Sequence, residues 1–209
     1  GLMDQDLDGE RSTNYELGLR GNQGDVNYEV AAFAMDFSNQ VVTGNSDPNL
    51  SQSNGGKTEH LGMEFMLGYK LGGGFSIDSN ATWVPTSEFK SGENQGNRLP
   101  YAPKIVANLA FNYQQESLST ALTVHHRGEQ YGDASNIVEI PTDAAGGIWG
   151  GLLPSYTLLD LTAQYNLSNN LRLFGAVKNL TDKRYITGLR QGIYVGPERS
   201  LEVGVRYKF

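Results

Sequence analysis

Cysteine is absent from all 209 residues, which removes disulfide scaffolds, thiolate zinc sites and cysteine nucleophiles. Positive charge is scarce. There are 16 Lys and Arg against 23 Asp and Glu, a formal net of −7 with no long basic run. Nucleic-acid binding needs a cationic footprint that this chain does not carry. No apolar stretch approaches the ~18 residues of a spanning helix, and no charged-then-apolar leader opens the sequence. A sustained 3.6-residue stripe is missing too, so a helical bundle has nothing to build on. Plentiful instead are Gly (26), Tyr (11) and Phe (8), residues of strands and turns. Three classes remain: a soluble β-protein, a membrane β-barrel, or part of either.

The dominant period is two. At the C-terminus Leu201, Val203, Val205, Tyr207 and Phe209 alternate with Glu202, Gly204, Arg206 and Lys208. Successive strand side chains point to opposite faces, so one face is apolar and the other charged or small. Residues 159–167 repeat the pattern, and so do 104–113, where Ile105, Ala107, Leu109, Phe111 and Tyr113 share a face. Further strands are expected over 13–21, 58–71, 75–84, 118–127 and 171–179. In 26–40 the set Tyr28, Val30, Ala32 and Ala34 competes with Phe33, Met35 and Phe37, leaving both faces partly apolar.

Connections alternate in length. Asn22–Asp25, Gly72–Gly74, Gln114–Ser117 and Ser168–Asn170 are three- or four-residue turns. Between them lie long polar excursions at 43–57, 85–100, 128–154 and 187–198. All tight turns therefore gather at one end of the sheet and all long loops at the other. A soluble sandwich has no reason to keep that order, whereas an outer-membrane barrel does. The expected fold is an all-β, antiparallel transmembrane β-barrel. Nine strands is an odd count, and the two end strands run the same way. They cannot close antiparallel on each other, so further wall strands are expected ahead of this sequence.

Several stretches resemble the C-terminal half of TonB-dependent outer-membrane receptors. Ser12-Thr-Asn-Tyr-Glu-Leu-Gly-Leu-Arg20 is similar to that family's "nYElGlr" strand, and Pro100-Tyr-Ala-Pro-Lys104 to its "P…P" opening of a downward strand. Lys178-Asn-Leu-Thr-Asp-Lys-Arg-Tyr185 resembles the "NLxDxxY" motif through Asn179, Leu180, Asp182 and Tyr185. Gly196-Pro-Glu-Arg-Ser200 resembles "G-x-P-R" in a changed order, with Gly196, Pro197 and Arg199 as the shared residues. A last strand ending in Phe209 completes the match.

The resemblance implies the C-terminal nine strands of a 22-stranded barrel. The plug domain and the TonB-contacting segment would lie outside these residues. It also implies TonB-driven import of a ferric chelate across the outer membrane of a Gram-negative bacterium. The context of Arg184-Tyr-Ile186 and Arg190-Gln-Gly-Ile-Tyr194 is most similar to the ferric-citrate and siderophore group. The implied partners are the TonB complex through the plug, membrane lipid, the chelate and the remainder of the receptor chain. Neither a catalytic role nor a cofactor is implied; the iron is cargo. Two other readings stand beside this one, a passive barrel or adhesin and a soluble carbohydrate-binding sandwich.

Ferric chelates are often anionic, so guanidinium groups near the outer mouth are natural partners. Arg98, Arg127, Arg184 and Arg190 lie near expected upper strand ends, and Tyr131, Trp149 and Tyr194 sit where they could stack on a chelate. The competing reading has the arginines paired with wall acids and the aromatics in the interfacial girdle.

Other motifs are weaker. Asp4, Asp6, Asp8 and Gly9 open like a calcium loop, but its closing acidic position holds Tyr15. His125 and His126 face opposite ways on a strand and cannot share a metal, and His60 is distant in sequence. Nothing orients Ser119 and His125 into a triad. Asn49, Asn80, Asn166 and Asn179 fit the glycosylation pattern, which the bacterial resemblance sets aside. The Gly-rich stretch 144–153 reads as a mobile loop tip.

Overall fold

The structure is a computed structural model that describes residues 8–43, 52–54, 56–141 and 147–209. In chain order its strands are β1 (Arg11–Gln23), β2 (Val26–Ser38), β3 (Val41–Thr43), β4 (Gln52–Asn54) and β5 (Thr58–Gly72). There follow β6 (Phe75–Phe89), β7 (Ile105–Gln115), β8 (Leu118–Arg127), β9 (Gln130–Tyr131) and β10 (Leu152–Leu153). The last are β11 (Tyr156–Asn166), β12 (Leu171–Lys178), β13 (Ile186–Leu189), β14 (Ile193–Val195) and β15 (Ser200–Tyr207). Nine of them form one antiparallel meander in the order β1-β2-β5-β6-β7-β8-β11-β12-β15. The three short pairs, β3–β4, β9–β10 and β13–β14, all lie within long connections. The nine long strands are those expected from period two.

Cross-strand register explains the alternation. Val26, Tyr69, Ile77, Phe111, Leu122, Leu161, Val177 and Leu201 stand in one line across eight strands. This face is not packed against anything: Phe111 is 45% exposed and Leu161 38% even in the middle of the arc. A soluble sheet would bury such a row, and a lipid-facing wall leaves it open. The strands β1 and β15 each have a neighbour on one side only.

Three features differ from the sequence expectation. Three of the tight turns shrink, to Gly24–Asp25, Gly73–Gly74 and Glu116–Ser117, because the flanking residues continue the ladder. The strand β6 runs on to Phe89 rather than stopping at Val84. It carries a bulge there, since Met63 pairs with Trp83 while Leu61 pairs with Thr86. Pro85, which has no N–H to offer a ladder, sits in the bulge. Beyond it the parity shifts, and Ser87 and Phe89 come to share a face with His60 and Thr58.

The ambiguous face of β2 also resolves. Phe33 stands opposite Gly62, and its ring fills the place that a Cβ there would take. Phe37 meets the His60 ring edge-on at 5.4 Å. The set Phe33, Met35 and Phe37 thus lies on the bore face, accommodated by glycine rather than by lipid.

Candidate functional site: the bore face and the outer loop base

Side chains on the bore face are polar and linked to one another. Asn112 Nδ2 donates to Asp78 at 2.7 Å, and Asn108 Nδ2 donates to Asn80 at 2.9 Å. His125 Nδ1 is 2.7 Å from Asn108 Oδ1, and its Nε2 is 3.4 Å from Asp160 Oδ2. The other Asp160 oxygen accepts the Asn179 N–H at 2.8 Å. Towards the tight-turn end, Arg172 Nε donates to Asn166 at 2.8 Å. A wall with this chemistry suits a water-filled or protein-filled bore, not lipid. His126 lies on the opposite face, 2.9 Å from Thr157 Oγ1. Among the described residues no group of His and acids could hold a metal ion.

The outer ends of the strands are closed by an interlocked platform of three loops, 90–104, 128–155 and 179–199. Phe89, Leu99, Leu153 and Leu189 are buried within it. Loop backbone has no ladder to pair with, so buried N–H and C=O groups must find side chains. One device recurs three times. Asn136 takes the Arg98 N–H at 2.7 Å and gives to the Arg98 carbonyl at 2.8 Å. Asn179 takes the Lys183 N–H at 2.8 Å and gives to the Lys183 carbonyl at 2.9 Å. The Tyr101 hydroxyl gives to the Leu189 carbonyl at 2.9 Å and takes the Leu189 N–H at 3.1 Å. Each side chain imitates the exchange of two hydrogen bonds that a strand neighbour would supply. All three residues hold left-handed backbones, with φ of 55° at Asn136, 50° at Asn179 and 54° at Tyr101. Asp133 adds a fourth tie: its buried carboxylate accepts the Gly151 N–H at 3.0 Å and the Ile137 N–H at 3.3 Å.

The "NLxDxxY" and Gly/Pro/Arg residues form one lock at the base of the last loop. Asn179 Nδ2 also reaches the Pro197 carbonyl at 3.1 Å, Leu180 N–H donates to Leu159 at 2.7 Å, and Arg199 N–H donates to Asp182 Oδ1 at 2.9 Å. The Tyr185 ring packs on Tyr156, centroids 4.4 Å apart, and occupies the space above Gly196 where any side chain would collide. Burial, with Tyr156 and Asp160 nearby, pushes the Tyr185 phenol above its ordinary pKa. Phe209 is fully exposed at the chain's end, its ring edge-on to Tyr207 at 5.1 Å.

The residues singled out for ligand contact fall into two groups. Arg98 is absorbed by the fold. Its guanidinium donates to the carbonyls of Val84 at 2.6 Å, Pro85 at 2.9 Å and Ala102 at 2.7 Å, capping the bulge in β6. Burial lowers its pKa from the ordinary guanidinium value. Arg127 donates to the buried Gln130 at 3.2 and 3.3 Å. Tyr131 pairs with Leu152, and its carbonyl accepts the Tyr101 N–H at 2.8 Å. Trp149 is half-buried beside the loop base.

Arg184, Arg190 and Tyr194 are exposed, and Arg190 and Tyr194 sit on the β13–β14 hairpin. No partner holds the Arg184 or Arg190 guanidinium among the described residues, so both are open to an incoming anion. Within the Gly-rich stretch, Leu152 and Leu153 pair with β9, and Gly150, Gly151 and Leu153 are buried, so this part is packed base rather than loop tip. Residues 144–146, like Asp4, Asp6 and Asn49, lie outside the described residues. Tyr101, Asn136 and Asp133 were not visible as site residues in the sequence, since no periodicity marks them.

Comparison with known proteins agrees with this geometry. Residues 2–180 match the family profile described as TonB dependent receptor-like, beta-barrel. The ferric enterobactin receptor PirA of Pseudomonas aeruginosa is 31% identical over 195 residues, covering 86% of this chain and 24% of that protein. Among solved structures, the unliganded ferric citrate transporter FecA superposes with a TM-score of 0.82 at 27% identity, over 95% of this chain and 31% of its own. The ferric yersiniabactin uptake receptor FyuA of Yersinia pestis gives 0.79 at 26% identity, over 96% of this chain and 30% of its own. These 209 residues thus span about a quarter to a third of the proteins they resemble. With the lipid-facing rows, the polar bore and the gathered loops in place, the chain belongs to the TonB-dependent receptor β-barrels of the Gram-negative outer membrane.

Proposed function

We propose that these residues form the C-terminal wall and outer loops of a receptor that imports a ferric chelate. The carrying observation is the outer platform, which presents the unpaired guanidinium groups of Arg184 and Arg190, the latter on the same hairpin as Tyr194, at the loop end of a polar bore. An anionic chelate gains charge-assisted hydrogen bonds from such groups, and an aromatic beside them offers a stacking face. The relatives' cargoes, ferric enterobactin, ferric citrate and ferric yersiniabactin, support a ferric chelate of that kind.

In this reading the nine strands belong to a 22-stranded barrel. The plug and the TonB-contacting segment come from receptor chain outside these residues, and the TonB complex drives uptake through them. In the same reading Arg127, at the end of β8, and Tyr131 and Trp149, in the β8–β11 loop, meet the chelate after capture, while Arg98 holds the bulge.

The test is growth of a receptor-deficient strain under iron starvation, complemented with the full receptor and supplied in turn with citrate, catecholate and hydroxamate chelates. Rescue by at least one, lost without TonB and reduced about tenfold in uptake affinity by Arg190→Ala, is expected. Rescue by none of them, at normal receptor levels, sinks the proposal.

A further inference from the structure

A tyrosine in a left-handed conformation is an outlier. Asn and Gly visit that region readily, whereas a bulky side chain there is strained. Asn136 and Asn179 are the comfortable cases; Tyr101, at φ 54°, is not. Strain persists only where the surroundings over-determine it, and an observed outlier of this kind points toward function.

Here the surroundings are explicit. The Tyr101 N–H is held by the Tyr131 carbonyl at 2.8 Å, fixing the residue to the β8–β11 loop. Its hydroxyl then reaches Leu189, 88 positions away, and occupies both the N–H and the C=O of that residue. Leu189 is buried at 1% exposure and ends β13; Arg190, which follows it, is exposed. One residue therefore joins three outer loops, its main chain tied to Tyr131 and its side chain to Leu189, and its hydroxyl pins the main chain immediately before an unpaired guanidinium.

We infer that Tyr101 is a positioning residue: its hydroxyl latches the β13–β14 hairpin so that Arg190 meets the chelate in a fixed pose. The inference rests on the ferric-chelate reading above and adds a residue that touches no ligand. Physically, the latch acts by pre-organisation. An unlatched hairpin samples other poses, and each binding event must then select one. Such an effect falls on the dissociation rate of the bound chelate more than on its arrival.

Tyr101→Phe in the full receptor removes the hydroxyl and keeps the ring and the packing. Hydrogen exchange reads the latch directly, because the Leu189 N–H loses its acceptor. We expect that amide to exchange about tenfold faster, the scale of one lost hydrogen bond. Ferric enterobactin and ferric citrate, tested in parallel, should dissociate about tenfold faster at unchanged receptor level. If Tyr101 acts through Arg190, adding Tyr101→Phe to Arg190→Ala costs nothing more.

Unchanged Leu189 exchange overturns the latch. Faster exchange with unchanged dissociation, or penalties that multiply in the double variant, overturns its role in positioning. If instead Arg190→Ala and Tyr194→Ala leave binding at wild-type strength, the ligand reading of the hairpin fails; the exchange measurement still decides whether the hydroxyl holds it.

Discussion

The two ends of this sheet solve the same problem by different means. At the tight-turn end the chain reverses over Gly24–Asp25, Gly73–Gly74, Glu116–Ser117 and residues 167–170. Ladder hydrogen bonds continue almost to each reversal, so little backbone is left unpaired, and no side chain there is buried among the described residues. At the loop end the ladder stops early, and long stretches of peptide groups need other partners. Apart from Ala31 in the wall, the buried side chains of the described residues gather there: Thr58, Ser87, Phe89, Leu99, Gln130, Asp133, Leu153, Asn179 and Leu189. The wall relies on lipid and on ladders, while the platform is organised like a small water-soluble protein, with a core and satisfied polar groups.

A wall substitution sets the scale for both ends. Leu161→Arg places a charge near mid-strand on the lipid side and should cost about 2–4 kcal/mol of barrel stability. Thr162→Arg, one residue on, points into the bore and should cost much less. Asn108→Arg is a poorer control, since Asn108 bonds both Asn80 and His125. A urea titration of the full receptor in liposomes measures the pair. Equal losses at 161 and 162 would mean that the faces are wrongly assigned.

Next in size is the lock of the last loop. Asn179→Ala strands the Lys183 N–H and carbonyl beside a buried position, at a cost of about 2–3 kcal/mol. Asn179→Asp keeps the acceptor and loses the two donated bonds, so it should fall about midway. Limited proteolysis within 179–199 should rise in both variants while the wall resists urea as before. A global loss of wall stability with no new cleavage would show that platform and wall are not separable.

How much of this was legible in the sequence follows from the same division. Period two and the alternation of turn and loop lengths record the wall, because lipid and bore impose opposite demands on neighbouring residues. Where the pattern misled, a cross-strand partner was responsible. Phe33 and Phe37 look like a second apolar face until Gly62 and His60 are placed opposite or beside them. Strand β6 outruns its expected end because a bulge at Pro85 shifts parity, and Arg98, 13 residues beyond that proline, caps the bulge. The platform left no periodic trace. Its ties run between Tyr101 and Leu189 or Asn136 and Arg98, over 88 and 38 positions, and a single sequence gives no sign of such distances. Only resemblance marks the "NLxDxxY" segment in the sequence; its role as a lock rests on the hydrogen bonds of Asn179 and Asp182.

The smallest expected effects test the tight-turn end itself. Gly24 and Gly74 both hold left-handed backbones, with φ of 62° and 88°. Their surroundings differ: a Cβ on Gly24 would meet nothing within 4 Å, while one on Gly74 would collide with the Gln114 carbonyl of the neighbouring strand. That carbonyl is strand backbone rather than the end of a flexible side chain, so it moves only if β7 moves with it. Gly24→Ala therefore carries only the conformational penalty, about 1 kcal/mol. Gly74→Ala carries that penalty plus displacement of a ladder, about 2 kcal/mol in total. The same urea titration should rank them in that order, and neither should alter chelate affinity, since both lie at the far end of the wall from the platform. If Gly24→Ala proved the costlier, or if either weakened chelate binding, the tight-turn end would have to be more than a set of economical reversals.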